Sequence, residues 1–299
     1  MILFQPTTSG KAATNGIELY YETFGNIENP AILLTMGLDA QCIMYGQDFM
    51  MPLVEAGFCV IRYDNRDIGL STWLNDSWQR NNPYTLHDMA KDAVGLLDFL
   101  NIEKAHLIGV SMGGMISQQL TLTYPARVMS LTSIMSSGFS LNPDATQSSR
   151  NKVLVRLLPF LSKRIYVKNK LTNHKVSVEN YVKTYRTLAG ARFPFNEPHF
   201  RAVFTEGIEK RKGQNPRARY QQYCAIAASG SRLKELPKIK TPTLIIHGTA
   251  DPLVPAIHAQ IYAPLIPNAK MLWIEGMGHE LPKAALPEIL PEIIALLQK

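Results

Sequence analysis

The sequence predicts an α/β fold in which a mostly parallel central sheet is flanked by helices and interrupted by a helical cap inserted in the C-terminal half. Three observations support this prediction. Short apolar runs typical of buried strands alternate with amphipathic stretches typical of helices. A Gly-x-Ser-x-Gly sequence stands between one such run and the next helical stretch. Residues 138–236 contain helical stretches but no convincing strand alternation.

The N-terminal half is predicted element by element from its hydrophobic pattern. Residues 17–24 alternate in polarity and carry aromatic side chains, which indicates an antiparallel strand. Three later runs are largely apolar, as expected of buried strands: 31–36, 58–63 and 106–110. Residues 128–133 are a further strand candidate. Residues 47–56 and 115–123 have helical patterns. A longer amphipathic helix begins at Thr85, with Asp88 three residues later as an approximate capping box.

The C-terminal half contains the predicted cap and the end of the sheet. Three stretches of the cap have helical patterns: 153–161, 181–188 and 219–228. Three elements follow the cap: apolar strands at 243–247 and 271–275, and a closing amphipathic helix at 286–298. We therefore expect a core domain formed by residues 1–137 and 237–299, with residues 138–236 as a separate helical cap domain.

Charge is distributed unevenly along the chain. The net charge is +7, but residues 138–234 alone have a balance of +14 and the remainder has −7. The basic residues are interspersed and no nucleic-acid motif is present, so we expect a solvated basic face on the cap and no nucleic-acid partner. A second hypothesis is that this positive potential favours substrates bearing a carboxylate or phosphate.

Composition also constrains the cellular setting. No apolar run is long enough to span a membrane, and the first residues lack the charged and apolar regions of a signal peptide. The three cysteines are scattered, which argues against a disulfide framework and is typical of a reducing cytoplasm: Cys42, Cys59 and Cys224. We expect a cytoplasmic protein with no metal and no cofactor.

The segment Gly109-Val110-Ser111-Met112-Gly113 is the strongest chemical signal. A tight turn from strand to helix holds such a serine in a strained conformation that exposes its hydroxyl, and Gly109 and Gly113 leave room for the turn. The backbone N–H of Met112, at the helix start, then points toward an incoming carbonyl oxygen. We predict Ser111 as a nucleophile.

A serine hydroxyl needs a base within hydrogen-bonding distance, and the base needs an orienting acid. In this architecture the acid and then the base follow the serine along the chain. Asp251 follows the strand at 243–247, and His279 follows the strand at 271–275. We assign Asp251 as the acid and His279 as the base. His247 is the strongest competing histidine, but it precedes the acid.

A second backbone N–H is needed to hold a developing oxyanion beside that of Met112. The loop after the strand at 31–36 is in position to supply it, and we assign Leu38 N–H, with Gly37 allowing the turn. The alternative is that Gly37 only ends the strand.

These residues resemble the α/β-hydrolase superfamily over essentially the whole chain, and within it the aclacinomycin methylesterase group of bacterial carboxylesterases. The matching segments are 34–37, 61–72, 109–113 and 274–279. Met36 stands where many members carry histidine, as in the methylesterase group. The resemblance implies that residues 64–71 form a structural loop bracing the site. It is weak over residues 138–234, and substrate choice in this superfamily is set by that cap.

The leading hypothesis is a serine carboxylesterase that forms an acyl-enzyme on a small-molecule ester. A proline iminopeptidase, a cofactor-free haloperoxidase or perhydrolase and a C–C bond hydrolase remain alternatives. An epoxide hydrolase or dehalogenase would carry aspartate in place of Ser111. A non-catalytic ligand-binding protein on the same fold is the alternative of a different class. The natural substrate, the acyl and alcohol preferences, and whether the protein forms a homodimer stay open.

Overall fold

The computed structural model describes residues 5–139 and 176–299. The helix predicted at 153–161 lies outside the described residues. In the part described, eight strands form one sheet in the order β1-β2-β4-β3-β5-β6-β7-β8. The strands are β1 (Thr8–Thr14), β2 (Ile17–Phe24), β3 (Ala31–Thr35), β4 (Cys59–Tyr63), β5 (Ala105–Val110), β6 (Val128–Ile134), β7 (Thr243–Gly248) and β8 (Lys270–Ile274).

The six neighbouring strands β4, β3, β5, β6, β7 and β8 run parallel, and the β1–β2 and β2–β4 pairs are antiparallel. All seven predicted strands are present, each within one residue of its predicted ends. The carboxyl ends of the parallel strands therefore lie along one edge, where α/β sheets place their ligands.

Eight α-helices are described. They are α1 (Gln47–Glu55), α2 (Leu86–Phe99), α3 (Met112–Thr123), α4 (Val178–Arg186), α5 (Glu197–Thr205), α6 (Ala218–Ser229), α7 (Ile257–Tyr262) and α8 (Leu286–Leu297). Apolar residues of α2 and α3 pack in one core cluster with the sheet, and those of α1 and α8 pack in another. The helices thus cover the sheet in two layers, which confirms the predicted fold class.

The predicted capping box at the start of α2 is confirmed. Thr85 N donates to Asp88 Oδ2 at 2.8 Å, and Asp88 N donates to Thr85 Oγ1 at 3.3 Å. Two of the amide groups at the helix start are thereby satisfied by side chains, which fixes where the helix begins.

Three described elements were not predicted. Strand β1 is mostly polar and small in composition, because it is an edge strand that pairs only with β2. Helix α5 begins at the cap Asn196, whose side chain accepts from His199 N. Helix α7 has six residues, too few for a helical period to stand out in the sequence. No helix among the described residues is long and apolar enough to cross a bilayer.

Helices α4, α5 and α6 follow β6 and precede β7 along the chain, in the segment predicted as the cap, and the name cap is kept for this segment. Tyr181, Val182, Phe200 and Phe204 form a small apolar cluster of the cap itself. The expectation of a solvated basic face is wrong for three arginines. Arg211 pairs with Asp64 at 2.7 Å, Arg219 pairs with Asp39 at 2.7 Å, and Arg232 is only 3% exposed. Arg211 and Arg219 pair with acidic groups of the core, since a buried charge requires a partner. Arg232 donates instead to Gln118 Oε1 at 3.2 Å and to Ser137 O at 2.9 Å.

Candidate active site

Ser111 lies at the turn between β5 and α3. Its backbone has φ +56° and ψ −120°, a conformation that costs energy for any residue other than glycine. The turn is possible only because the residues two positions before and after Ser111 are glycines. A Cβ at Gly109 would lie 2.3 Å from Gly113 O, and a Cβ at Gly113 would lie 2.0 Å from Thr35 O. The two predicted glycines therefore have a steric reason to be there.

The structure brings Ser111, Asp251 and His279 together at the carboxyl edge of the sheet. His279 Nδ1 lies 2.6 Å from Asp251 Oδ2, and His279 Nε2 lies 3.0 Å from Ser111 Oγ. An ionised carboxylate only accepts hydrogen bonds, so Nδ1 carries the proton and Nε2 is left to accept from the serine. This arrangement can take a proton from the hydroxyl of Ser111.

Asp251 is oriented by the loop that follows β7. Its Oδ1 accepts hydrogen bonds from Leu253 N and Val254 N, both at 2.8 Å, so that Oδ2 is presented to His279. The carboxylate is buried, at 5% exposure. Both of its oxygens have partners, as a buried charge requires.

The loop carrying His279 is held from above by the chain that follows α4. His279 N donates to Leu188 O at 2.7 Å. A Cβ at Gly278 would lie 2.2 Å from the same carbonyl oxygen, so the backbones of the loop and the cap are too close together for a side chain at this position. The cap thus takes part in positioning the histidine.

His247, the competing histidine, is placed elsewhere. Its Nε2 donates to Val254 O at 2.8 Å, and it lies 3.8 Å from Asp251 Oδ2. Burial lowers the pKa of His247, which keeps the ring neutral. Its ring lies behind the acid and makes no hydrogen bond to Ser111.

The two predicted backbone donors both line the cavity above Ser111. Met112 is the first residue of α3, so its N–H has no acceptor within the helix. Leu38 follows Gly37, whose Cβ, if present, would lie 3.0 Å from Ser111 Cβ. Gly37 therefore allows the loop to pass close to the serine. Neither amide donates to a protein acceptor within the described ranges.

Asp39, which the sequence analysis did not single out, fixes the end of this loop. It has φ +62° and is 6% exposed. Its hydrogen-bond partners come from the cap. Asp39 N donates to Gln222 Oε1 at 2.8 Å, and Gln214 Nε2 donates to Asp39 Oδ1 at 2.7 Å. Tyr181 Oη and Arg219 Nε each donate to Asp39 Oδ2 at 2.8 Å. The only sequence signal was an aspartate in a glycine-containing loop, a residue type that tolerates left-handed backbone.

The other side of the loop is held by the core. Asn65 Nδ2 donates to Met36 O at 3.0 Å, and Tyr45 Oη donates to Thr35 O at 3.1 Å. Asn65 belongs to the stretch 64–71 that the resemblance implied as a brace. The loop is thereby fixed at both ends, with the amide of Leu38 between them.

A cavity of about 670 Å³ opens above Ser111. Its walls combine the core loops with cap residues that include Tyr181, Tyr185, Phe200 and Tyr223. Phe200 both belongs to the apolar cluster of the cap and lines this cavity. Two further polar residues of the wall were not predicted, Glu280 and His258. The position of Glu280 beside the predicted base was the available signal.

No group of acidic, histidine and cysteine side chains that could hold a metal ion is found in residues 5–139 and 176–299. Ser111, His279 and Asp251 are instead hydrogen-bonded to one another. Within the described ranges, the chemistry that the arrangement offers is proton transfer between Ser111 and His279 beside two backbone amides.

Comparison with known proteins identifies a family and two similar proteins. The profile of the alpha/beta hydrolase fold family matches residues 30–283. The rhodomycin D methylesterase DauP of Streptomyces sp. (strain C5) is 30% identical over 285 residues, which cover 90% of this chain and 91% of that protein. The rhodomycin D methylesterase DnrP of Streptomyces peucetius has the same identity and coverage.

Solved structures agree on the fold. A bromoperoxidase from Bacillus anthracis superposes with a TM-score of 0.73 at 21% identity, covering 98% of this chain and 100% of that one. At this identity the likeness concerns the fold alone. The resemblance to α/β hydrolases, and to the methylesterase group within them, is confirmed by the profile and the two relatives. The chain belongs to the alpha/beta hydrolase fold family.

Proposed function

We propose that this protein is a serine carboxylesterase that uses Ser111 as its nucleophile. The observation that carries the proposal is the continuous hydrogen-bonded chain from Ser111 Oγ through the ring of His279 to Asp251, at 3.0 and 2.6 Å, below a cavity large enough for an organic ester. The serine, base and acid have the spacing that nucleophilic acyl transfer requires.

The reaction begins when His279 Nε2 takes the proton of Ser111 as Oγ attacks the ester carbonyl. Asp251 holds the ring in the required tautomer and stabilises its positive charge. The tetrahedral intermediate collapses to an acyl-enzyme as His279 returns the proton to the leaving alcohol. Water, deprotonated by the same ring, then cleaves the acyl-enzyme to release the acid.

The negative charge of each tetrahedral intermediate falls on the former carbonyl oxygen. We assign Leu38 N–H and Met112 N–H as its donors, because both residues line the cavity that contains Ser111. Each such donor contributes about 10²–10³ to the rate in related chemistry. Gly37, Gly109 and Gly113 serve this geometry by leaving space, without taking part in the chemistry.

The two relatives at 30% identity are both named as methylesterases, which supports an ester rather than an amide or peroxide as the substrate. We extend the proposal to esters of small alcohols such as methanol. Residues 138–236 stay the predicted cap, and described residues of this segment, among them Tyr181 and Phe200, line the cavity. Cytoplasmic location and a homodimer stay predictions.

Hydrolysis of p-nitrophenyl acetate and butyrate, and of simple methyl esters, tests the proposal. Ser111→Ala should lower kcat by about 10⁴ or more. Ser117→Ala is the matched control, because this serine lies buried on the same helix and its hydroxyl has no hydrogen-bond partner.

Equal turnover by the wild type and Ser111→Ala would defeat the assignment. Failure of a fluorophosphonate probe to label Ser111 would favour the non-catalytic, ligand-binding alternative. Peroxide-dependent halogenation, or release of proline from prolyl amides, at rates above ester hydrolysis would favour the corresponding enzyme.

A further inference from the structure

Glu280 is a buried carboxyl in the wall of the cavity for which the proposed reaction has no use. It directly follows His279 and is 5% exposed. Its Oε1 is buried and has no hydrogen-bond partner. A buried polar atom without a partner costs about 1–3 kcal/mol, so a protein gains by supplying a partner from elsewhere.

The other ionic groups of the cavity wall already have partners. Arg219 pairs with Asp39 at 2.7 Å, and Lys283 pairs with Asp48 at 2.9 Å. His258 Nδ1 lies 2.8 Å from Ser137 Oγ. The titratable or charged described residues that share the wall with Glu280 are Asp39, Asp48, Tyr45, Tyr181, Tyr185, His199, Arg219, Tyr223, His258, His279 and Lys283. Within the described ranges, none of these cations forms an ion pair with Glu280.

We propose that Glu280 is a specificity-determining residue that binds a protonated amine of the substrate, so that the preferred esters carry an ammonium group. The inference rests on the proposed esterase function and names its substrate class. An ammonium group offers three donors and a compensating charge, and a charge-assisted hydrogen bond in a dry site is among the stronger ones.

Burial of the carboxyl supports this assignment. It raises the pKa of Glu280 to about 7, in the direction expected of a carboxylate that lacks a compensating cation. In the free protein the carboxyl is therefore mostly neutral below that pH and mostly ionised above it. An alkylammonium, with a pKa close to that of lysine at about 10.4, stays charged across this range. Preference for the ammonium ester should consequently rise with pH through about 7.

This preference also bears on the hypothesis of anionic substrates. The described arginine of the wall, Arg219, is neutralised by Asp39. Glu280, whose Oε1 has no partner, is acidic, so an anionic ester meets repulsion there once Glu280 is ionised. The two hypotheses therefore predict opposite orders of reactivity.

The test compares kcat/KM for pairs of esters that differ only in replacing an ammonium by a methyl group. The pairs are methyl ω-aminohexanoate with methyl heptanoate, methyl ω-aminooctanoate with methyl nonanoate, and ω-aminohexyl butanoate with heptyl butanoate. The ratio within a pair cancels the pH dependence of every catalytic step that the two esters share. In the wild type the ratio for at least one pair should rise about tenfold between about pH 6 and pH 8.5.

Two variants complete the experiment. In Glu280→Gln, which keeps the shape of the side chain, the ratio should no longer depend on pH. In Glu275→Gln, which removes the same charge from an exposed residue of the same loop, the pH dependence should match that of the wild type. Circular dichroism shows whether each variant is folded. If Glu280→Gln does not fold, the pH dependence of the ratio in the wild type still tests the proposal.

A ratio that does not change with pH for any pair in the wild type overturns the proposal. So does a rise that persists in Glu280→Gln, or a faster reaction with monomethyl adipate, an anionic ester, than with methyl heptanoate. These results leave the proposed function standing as long as Ser111 is needed to hydrolyse methyl heptanoate. Absence of that hydrolysis, or its survival in Ser111→Ala, defeats the esterase assignment itself.

Discussion

Replacing Arg219 by methionine removes the cap cation that holds the loop between β3 and α1. Arg219 Nε and Nη2 lie 2.8 and 2.7 Å from Asp39 Oδ2, and Asp39 immediately follows Leu38. The side chains of Arg219 and Asp39 are 12% and 5% exposed, so the pair is shielded from water. Methionine keeps most of the aliphatic packing and deletes the charge.

The magnitude follows from what remains around Asp39. Breaking a buried ion pair by removing one partner costs about 3–5 kcal/mol. Asp39 keeps the hydroxyl of Tyr181 and the amide of Gln214, so we expect a smaller loss, about 2–3 kcal/mol in the free energy of unfolding. If the loop relaxes by about 1 Å, the proposed oxyanion donor Leu38 N–H is misplaced, and kcat should fall about tenfold to a hundredfold.

Urea denaturation and steady-state hydrolysis of a neutral methyl ester measure the two effects. We expect kcat to fall with little change in KM, because the donor acts on the transition state more than on the bound ester. Arg219→Lys, which keeps the charge, should recover part of the rate. Asp39→Asn combined with Arg219→Met should recover part of the stability, because the uncompensated charge is gone.

Arg217→Met is the matched control. Arg217 lies two residues earlier, and its ion pair with Asp76 joins side chains that are 58% and 95% exposed. Exposed pairs contribute about 0–1 kcal/mol, so this variant should retain nearly the stability and rate of the wild type. The reasoning is refuted if Arg219→Met is as mild as Arg217→Met. An unchanged kcat in a destabilised Arg219→Met would refute the link between cap and oxyanion donor.

Two further predictions concern the elbow and the pH dependence of stability. In Gly113→Ala the new Cβ would lie 2.0 Å from the backbone oxygen of Thr35, so the variant should lose several kcal/mol of unfolding free energy and its esterase activity. Gly46→Ala is the control, because its Cβ would meet only His199, at 3.6 Å. In urea denaturation this control should change stability by less than about 1 kcal/mol. Normal stability and activity of Gly113→Ala would contradict the steric argument. Burial lowers the pKa of His106 from 6.5 to about 4. Between these pH values the imidazole is protonated in the unfolded chain and neutral in the folded protein. The free energy of unfolding should therefore rise with pH in this window. His106→Gln should reduce that slope by up to about 1.4 kcal/mol per pH unit, and an unchanged slope would show that this ring is not the group responsible.

Much of the fold was predictable because its signals are local. A strand buried on both faces must be continuously apolar, and a helix lying on a sheet must repeat its apolar residues every three or four positions. The bounds of β5, β7 and α2 agree with prediction for that reason. Strand β1 escaped because an edge strand with small and polar residues has no such requirement.

The candidate site was predictable to the extent that chain order constrains it. An elbow serine, an acid after β7 and a histidine after β8 are recognisable from their neighbours, because each follows a strand whose carboxyl end lies at the same edge. Asp39 and Glu280 were missed because their significance depends on contacts far along the chain, or on the absence of any. Asp39 is bound by residues 142 to 183 positions away.

The sequence by itself determined the α/β hydrolase fold and the order of the residues assigned as nucleophile, acid and base, since both depend on local patterns and on glycines that only a tight turn requires. Only the tertiary structure decided how the cap meets the core. The excess positive charge of the cap could be read from composition, but its use could not. Burial decides whether an arginine is solvated or paired, and burial is a property of the packed chain. The same holds for Glu280, whose lack of a partner is visible only when every neighbour is in place.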